Sequence, residues 1–161
     1  MPLNQGFGGT NNVINFSDYT ITPIVNTTLN NVLFPVELDP LLQYETVGVN
    51  AGRFIAKAAN YFLVNYTLVM NTSAGGAVGD NFITTSEIRI QKNGLAKSSK
   101  LVDRINTPVG ERRFLSASVE SIIFLNGSTD TISFYFNQTF AVAPSAATVI
   151  STTLHATIAR I

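Results

Sequence analysis

His155 is the only histidine in the chain, and there is no cysteine. Any chemistry that needs an imidazole therefore converges on one residue. A Ser-His-Asp unit would have to bring a hydroxyl to one ring nitrogen and a carboxylate to the other. Serines are abundant, yet no Gly-x-Ser-x-Gly elbow occurs. His155 reads instead as a structural residue on a strand, beside Ser151, Thr153 and Thr157. The ten carboxylates are scattered. They show neither a loop of calcium-binding spacing nor a hint of a paired general acid and base. One chain cannot gather several histidines or cysteines around zinc. Only three copies of His155 on a threefold axis could offer such a set. The expectation is a protein that is not an enzyme and carries no catalytic residue, cofactor or metal.

The one charge-rich stretch runs over residues 92–113 and reads as a loop. Lys92, Lys97, Lys100, Arg104, Arg112 and Arg113 there outnumber Asp103 and Glu111. Such a loop could hold an acidic partner or a phosphate backbone. It lacks the dense interleaving of basic and aromatic residues that marks nucleic-acid surfaces, so no nucleic-acid partner is expected. A solvated loop is the plainer reading. Elsewhere charge is sparse: 12% of residues are Asp, Glu, Lys or Arg and the formal net charge is zero, against a usual charged fraction of ~25%. Asn, Ser and Thr fill the gap. Low charge without a net sign favours association over a free monomer, although a compositional habit of the host would look the same. No apolar run approaches the ~20 residues of a membrane helix, so no membrane partner is expected. The opening MPLNQGFGG has no basic region followed by an apolar one, so no signal peptide is expected.

The element that must organise the rest is GRFIAKAANYFLVNYTLVM, residues 52–70. Phe62, Val64, Tyr66, Leu68 and Met70 fall on one face of an extended strand, a period of two. Tyr61, Leu63, Asn65, Thr67 and Val69 fall on the other, and that face is only half polar. A strand with one apolar face and a half-apolar back is expected to be covered on both sides. Residues 1–12 have little to bury and read as a flexible N-terminal arm, leaving 13–161 as the domain. Val13–Phe16, Tyr19–Val25, Leu33–Leu38 and Gln43–Val49 read as short strands, with Pro35 confining the third to a sheet edge. Residues 71–81 read as a loop, and Ile88 and Ile90 mark a one-sided strand that ends at the Lys92-Asn93-Gly94 turn. Phe114–Leu125, Thr131–Phe140 and Val149–Ile161 alternate in the same way. No helical period persists for three turns. The chain is expected to be all-β, a jelly-roll β-sandwich of about 8–10 antiparallel strands.

The order of these pieces resembles the tumour-necrosis-factor and complement globular-head superfamily over roughly residues 20–161. The resemblance is carried by GRFIAKAANYFLVNYTLV, by EIRIQKNG, by SIIFLNGSTDTISFYF and by STTLHATIARI. It implies a TNF-like jelly roll that forms a tight homotrimer. It also implies that the strands matching 61–70, 131–138 and 149–160 share the inner sheet, whose outer face lines the trimer. Tyr61, Leu63, Asn65, Tyr135, Thr153 and His155 would then stand at the subunit contact. The family's collagen stalk and signal peptide are not found here. With the low charge and the polar arm, this leads to a structural virion protein of a virus or phage. It would be a capsid decoration or cement protein, or the head of a fibre or spike, gripping a capsid or other virion protein through residues 1–12. The alternative is an extracellular recognition module that binds a receptor, glycan or charged surface through the 92–113 loop.

Overall fold

Twelve strands and no helix are found among the residues that the computed structural model describes, namely 13–21, 26–38, 43–74, 83–105, 112–140 and 148–161. They are β1 (Val13–Phe16), β2 (Tyr19–Ile21), β3 (Thr27–Leu29), β4 (Val36–Leu38), β5 (Tyr44–Glu45), β6 (Arg53–Ile55), β7 (Asn60–Ala74), β8 (Ile83–Lys92), β9 (Leu95–Ile105), β10 (Arg112–Leu125), β11 (Thr131–Phe140) and β12 (Thr148–Arg160). All pairings are antiparallel. One sheet runs β10-β7-β12-β1-β4, with β2 also on β12; the other runs β5-β6-β11-β8-β9, with β3 also on β11. The two pack face to face as a β-sandwich, as the alternation implies. The arm over residues 1–12 lies outside the described residues, as does most of the 71–81 loop, whose first four residues extend β7 to Ala74.

The apolar sets meet between the sheets. Phe62, Val64, Tyr66, Leu68 and Met70 of β7 are buried, as are Leu154, Ala156 and Ile158 of β12 and Ala117, Val119, Ile123 and Leu125 of β10. Opposite them lie Ile88 and Ile90 of β8 and Ile132, Phe134 and Phe136 of β11. At the centre the ring of Tyr66 lies 5.0 Å from that of Phe134, and Phe34 stands edge-on to both at 6.1 and 5.5 Å. Each such ring contributes ~1.5–3 kcal/mol by leaving water, with edge contacts adding ~0.5–1.5 kcal/mol. The strand expected over Leu33–Leu38 begins only at Val36, just after Pro35, and β4 lies at the edge of its sheet.

Three expectations are corrected. The strand over 131–138 does not share a sheet with those over 61–70 and 149–160. β7 and β12 pair along their length, whereas β11 lies in the opposite sheet. Two strands with equal alternation can sit side by side or face each other across a core. Here Phe134 packs onto Tyr66 from across the interior, which requires the second arrangement. Next, residues 92–113 are not one charged loop. Asn93 (φ 52°) and Gly94 (φ 78°) form a two-residue turn with both φ positive, and β9 returns antiparallel along β8. Its LAKSSKLVDRI sequence lacks clean alternation because β9 is an edge strand, and lysines on an edge discourage further pairing. Finally, twelve strands replace the expected 8–10, because β2 to β6 are segments of two or three residues too short to show a period.

Candidate functional site: the outer face of the β7 sheet

Side chains that point away from the core on β10, β7 and β12 form one continuous surface. The register sets it out in rows. Phe124 lies opposite Tyr61, Ile122 opposite Leu63, and Leu63 opposite Ala159 on its other side. The Tyr61 and Phe124 rings are 5.2 Å apart, and the Ile161 N–H donates to the Tyr61 carbonyl at 3.1 Å. Tyr61, Ile122, Phe124 and Ile161 remain 54, 62, 45 and 58% exposed, so this is an apolar cluster left facing solvent in the single chain. Exposed apolar residues scattered singly need no explanation, whereas a contiguous group makes a candidate interaction surface. Towards the other end of the face, Val69 and Phe114 are also exposed.

The waist between these ends is polar and carries the carboxylates of Glu120 and Asp18. Asn65 lies between Glu120 and Thr157, and Thr67 between Ser118 and His155. His155 Nδ1 lies 3.1 Å from Asp18 Oδ1, and the Thr153 and Thr20 hydroxyls share a 3.1 Å hydrogen bond. Both His155 and Asp18 are exposed on this face. Their approach brings together the imidazole and carboxylate of a triad, with Asp18 supplied by the connection from β1 to β2. Among the described residues the imidazole's one hydrogen bond is to Asp18, and no hydroxyl there is held against it as a nucleophile would be. Among the described residues no group of three or more His, Asp and Glu is gathered to hold a metal.

Of the six residues expected at a subunit contact, the structure brings five to this face: Tyr61, Leu63, Asn65, Thr153 and His155. Tyr135 is the exception. It lies on β11, on the outer face of the opposite sheet, where the Arg89 guanidinium sits 4.4 Å from its ring centre. Both Nε and Nη2 of Arg89 donate to the Glu87 carboxylate at 2.6 Å, a bidentate pair that holds the guanidinium above its ordinary pKa. Sequence reasoning missed Ile122, Phe124 and Phe114. The signal was present: in SIIFL, residues 121–125, alternation gives way to a continuous apolar run, which means both faces of β10 are apolar there.

The expected basic loop is dispersed by the fold. Lys92 is consumed internally: its ammonium lies 2.7 Å from Asp130 Oδ2 and donates to the Phe124 carbonyl at 2.8 Å. Lys92, then Asn93, hold the Asp130 carboxyl below its ordinary range. Lys97 is the extra residue of a bulge in β9, between Ala96 opposite Gln91 and Ser98 opposite Ile90. Lys97 and Lys100 are exposed along that edge. Arg104 belongs to β9, and Arg112 and Arg113 to β10, but their side chains lie outside the described residues.

No family model matches the chain, and no curated protein matches it either.

Proposed function

We propose that this chain is a non-enzymatic structural protein whose copies associate through the outer face of the β7 sheet. In this reading the sandwich is a TNF-like jelly roll, three copies bury the Tyr61, Ile122 and Phe124 cluster along a shared seam, and the assembly belongs to a virus or phage particle. It decorates or cements a capsid, or forms the head of a fibre or spike. The exposed apolar cluster carries the reading, because it is the feature a solitary soluble chain has least reason to keep. Low overall charge supports it, as does the largely polar waist, where Asn, Thr and Ser can pair across a seam and the carboxylates to be accommodated are Glu120 and the His155-paired Asp18. The threefold order and the virion setting rest on the sequence resemblance and composition. Co-purification tests the setting: the chain should travel with assembled particles, whereas recovery solely as a free soluble protein opposes it.

A second reading is a recognition module, and one observation favours it. Lys97 and Lys100 are exposed on the β9 edge strand, and among the described residues neither has an ion-pair partner. Changing both to Glu should abolish binding to an acidic surface under that reading and leave assembly intact under the first.

A further inference from the structure

The opposite side of the sandwich, the outer face of the β11 sheet, carries a pocket of about 300 Å³. This is at the small end of ordinary ligand sites, ~300–1,000 Å³. Beside the Asn93-Gly94 turn it is lined by Asn31, Arg53, Asn93, Thr129, Thr131 and Ser133. Each of these side chains can form hydrogen bonds, and none is apolar.

The register places the cation. Arg53 of β6 lies opposite Ser133 of β11 on one side and Glu45 of β5 on the other. No ion pair joins it to Glu45, and its one side-chain hydrogen bond is a long 3.5 Å contact from Nη1 to Asn50 Oδ1. Most of the guanidinium's donors are therefore uncommitted. Gly52 brings Asn31 close to this strand: with φ 78° and Asn31 Cβ 2.9 Å from where its own Cβ would stand, only glycine fits there.

The remaining wall is held before any ligand arrives. Asn126 Oδ1 accepts the N–H groups of Ser128, Thr129 and Asp130, each at 3.0 Å, while Asn126 Nδ2 donates to Thr129 Oγ1 at 2.8 Å. Asn93 Oδ1 accepts the Thr131 N–H at 2.8 Å, and Asn93 Nδ2 donates to Asp130 at 2.8 Å. A wall fixed in this way loses little freedom on binding.

We propose that this pocket binds a carboxylate-bearing saccharide, a uronic acid or a sugar of the same chemistry. The planar guanidinium of Arg53 matches a carboxylate through two parallel hydrogen bonds. Among the described residues Asn31 has its whole amide to offer, while Asn93 and the Thr129, Thr131 and Ser133 hydroxyls, already paired within the wall, keep a spare amide hydrogen and oxygen lone pairs that can meet ring hydroxyls. A bare phosphate would use Arg53 and leave most of that wall unmatched. The site goes beyond the assembly reading. It lies on the sheet that faces away from the proposed seam, so an assembled particle would present it outward.

Titration calorimetry of the full chain with glucuronate, glucose and inorganic phosphate tests this. Glucuronate should bind saturably, with glucose and phosphate each at least about tenfold weaker. Arg53→Gln should weaken glucuronate at least about tenfold at an unchanged melting temperature and solution mass. Should that variant fail to fold, Asn31→Ala, which removes the amide and leaves Arg53 in place, should weaken glucuronate and glucose alike. Absence of saturable glucuronate binding overturns the proposal, as does equal affinity for phosphate or glucose, or an Arg53→Gln variant that binds like the parent. The solution mass in the same experiment reports on the seam independently.

Discussion

Tyr44 and Tyr66 are both buried in the same interior and differ in what meets the hydroxyl. Tyr44 donates to the Val32 carbonyl at 2.9 Å and accepts the Phe34 N–H at 3.1 Å, so it ties the chain between β3 and β4 to the core. The Tyr66 hydroxyl is the one buried side-chain polar atom among the described residues that no protein group reaches. Tyr44→Phe leaves two buried backbone groups unpaired and should cost about 2 kcal/mol. Tyr66→Phe removes an unmatched polar atom and should be neutral or stabilising, by at most ~1 kcal/mol. Urea unfolding of the two variants checks the contrast, and equal losses would contradict it.

Both phenols also set an alkaline limit. Burial pushes the Tyr44 pKa from 10.0 up to about 12, and Tyr66 is raised well above its ordinary value by burial first and then by Tyr44. A folded-state pKa above the unfolded one means the folded chain prefers the neutral phenol. That preference contributes in full below pH 10 and is lost as pH rises from 10 towards 12. Stability should therefore fall over this interval. The phenolate absorbance of these two residues should appear together with unfolding rather than before it.

At the scale of elements, the Asn126–Asp130 loop and the Asn93-Gly94 turn lock together, so the β8–β9 and β10–β11 connections behave as one unit. Gly127 makes this possible. Its φ is 77°, and a Cβ there would run into the backbone of Ala58 and Ala59. Gly127→Ala combines a left-handed backbone with a clash against main chain, and should cost about 2 kcal/mol or more in thermal or denaturant unfolding. Gly94→Ala has a similar φ of 78° but open space around it, and should cost less. Equal costs would mean that the conformation alone matters.

The long strands were legible because Phe62 to Met70 and Ile132 to Phe136 alternate without interruption, and the turn at Asn93-Gly94 was legible from its residue types. β9 was not, since an edge strand bearing Lys97 and Lys100 has little reason to alternate. The partner of β11 was not legible either. Alternation states that a strand has an inside, and the packing of Phe134 on Tyr66 states which inside. The half-apolar back of β7 was read correctly from Tyr61 and Leu63, but its extension onto Ile122 and Phe124 depended on knowing that β10 is the neighbour. The Arg53 pocket draws on residues from 31 to 133, which no local motif could have joined.

The whole molecule presents two unlike faces. One is apolar at both ends with a largely polar waist; the other carries polar rows, a bidentate ion pair and a pocket with an arginine. The first suits contact with copies of the chain and the second suits contact with solvent or a sugar. Burying Ile122 at a seam would contribute ~1.5–3 kcal/mol per copy, so Ile122→Asp should weaken self-association by at least about tenfold while costing the single chain about 1 kcal/mol or less, because the side chain is mostly exposed there.

Light scattering on the purified chain reads the mass of the assembly in solution. A trimer gives three times the 17.4 kDa of one chain, and the Ile122→Asp variant should fall to the mass of a single folded chain. A native chain that stays monomeric at micromolar concentration, or an oligomer indifferent to Ile122→Asp, would contradict the proposed seam.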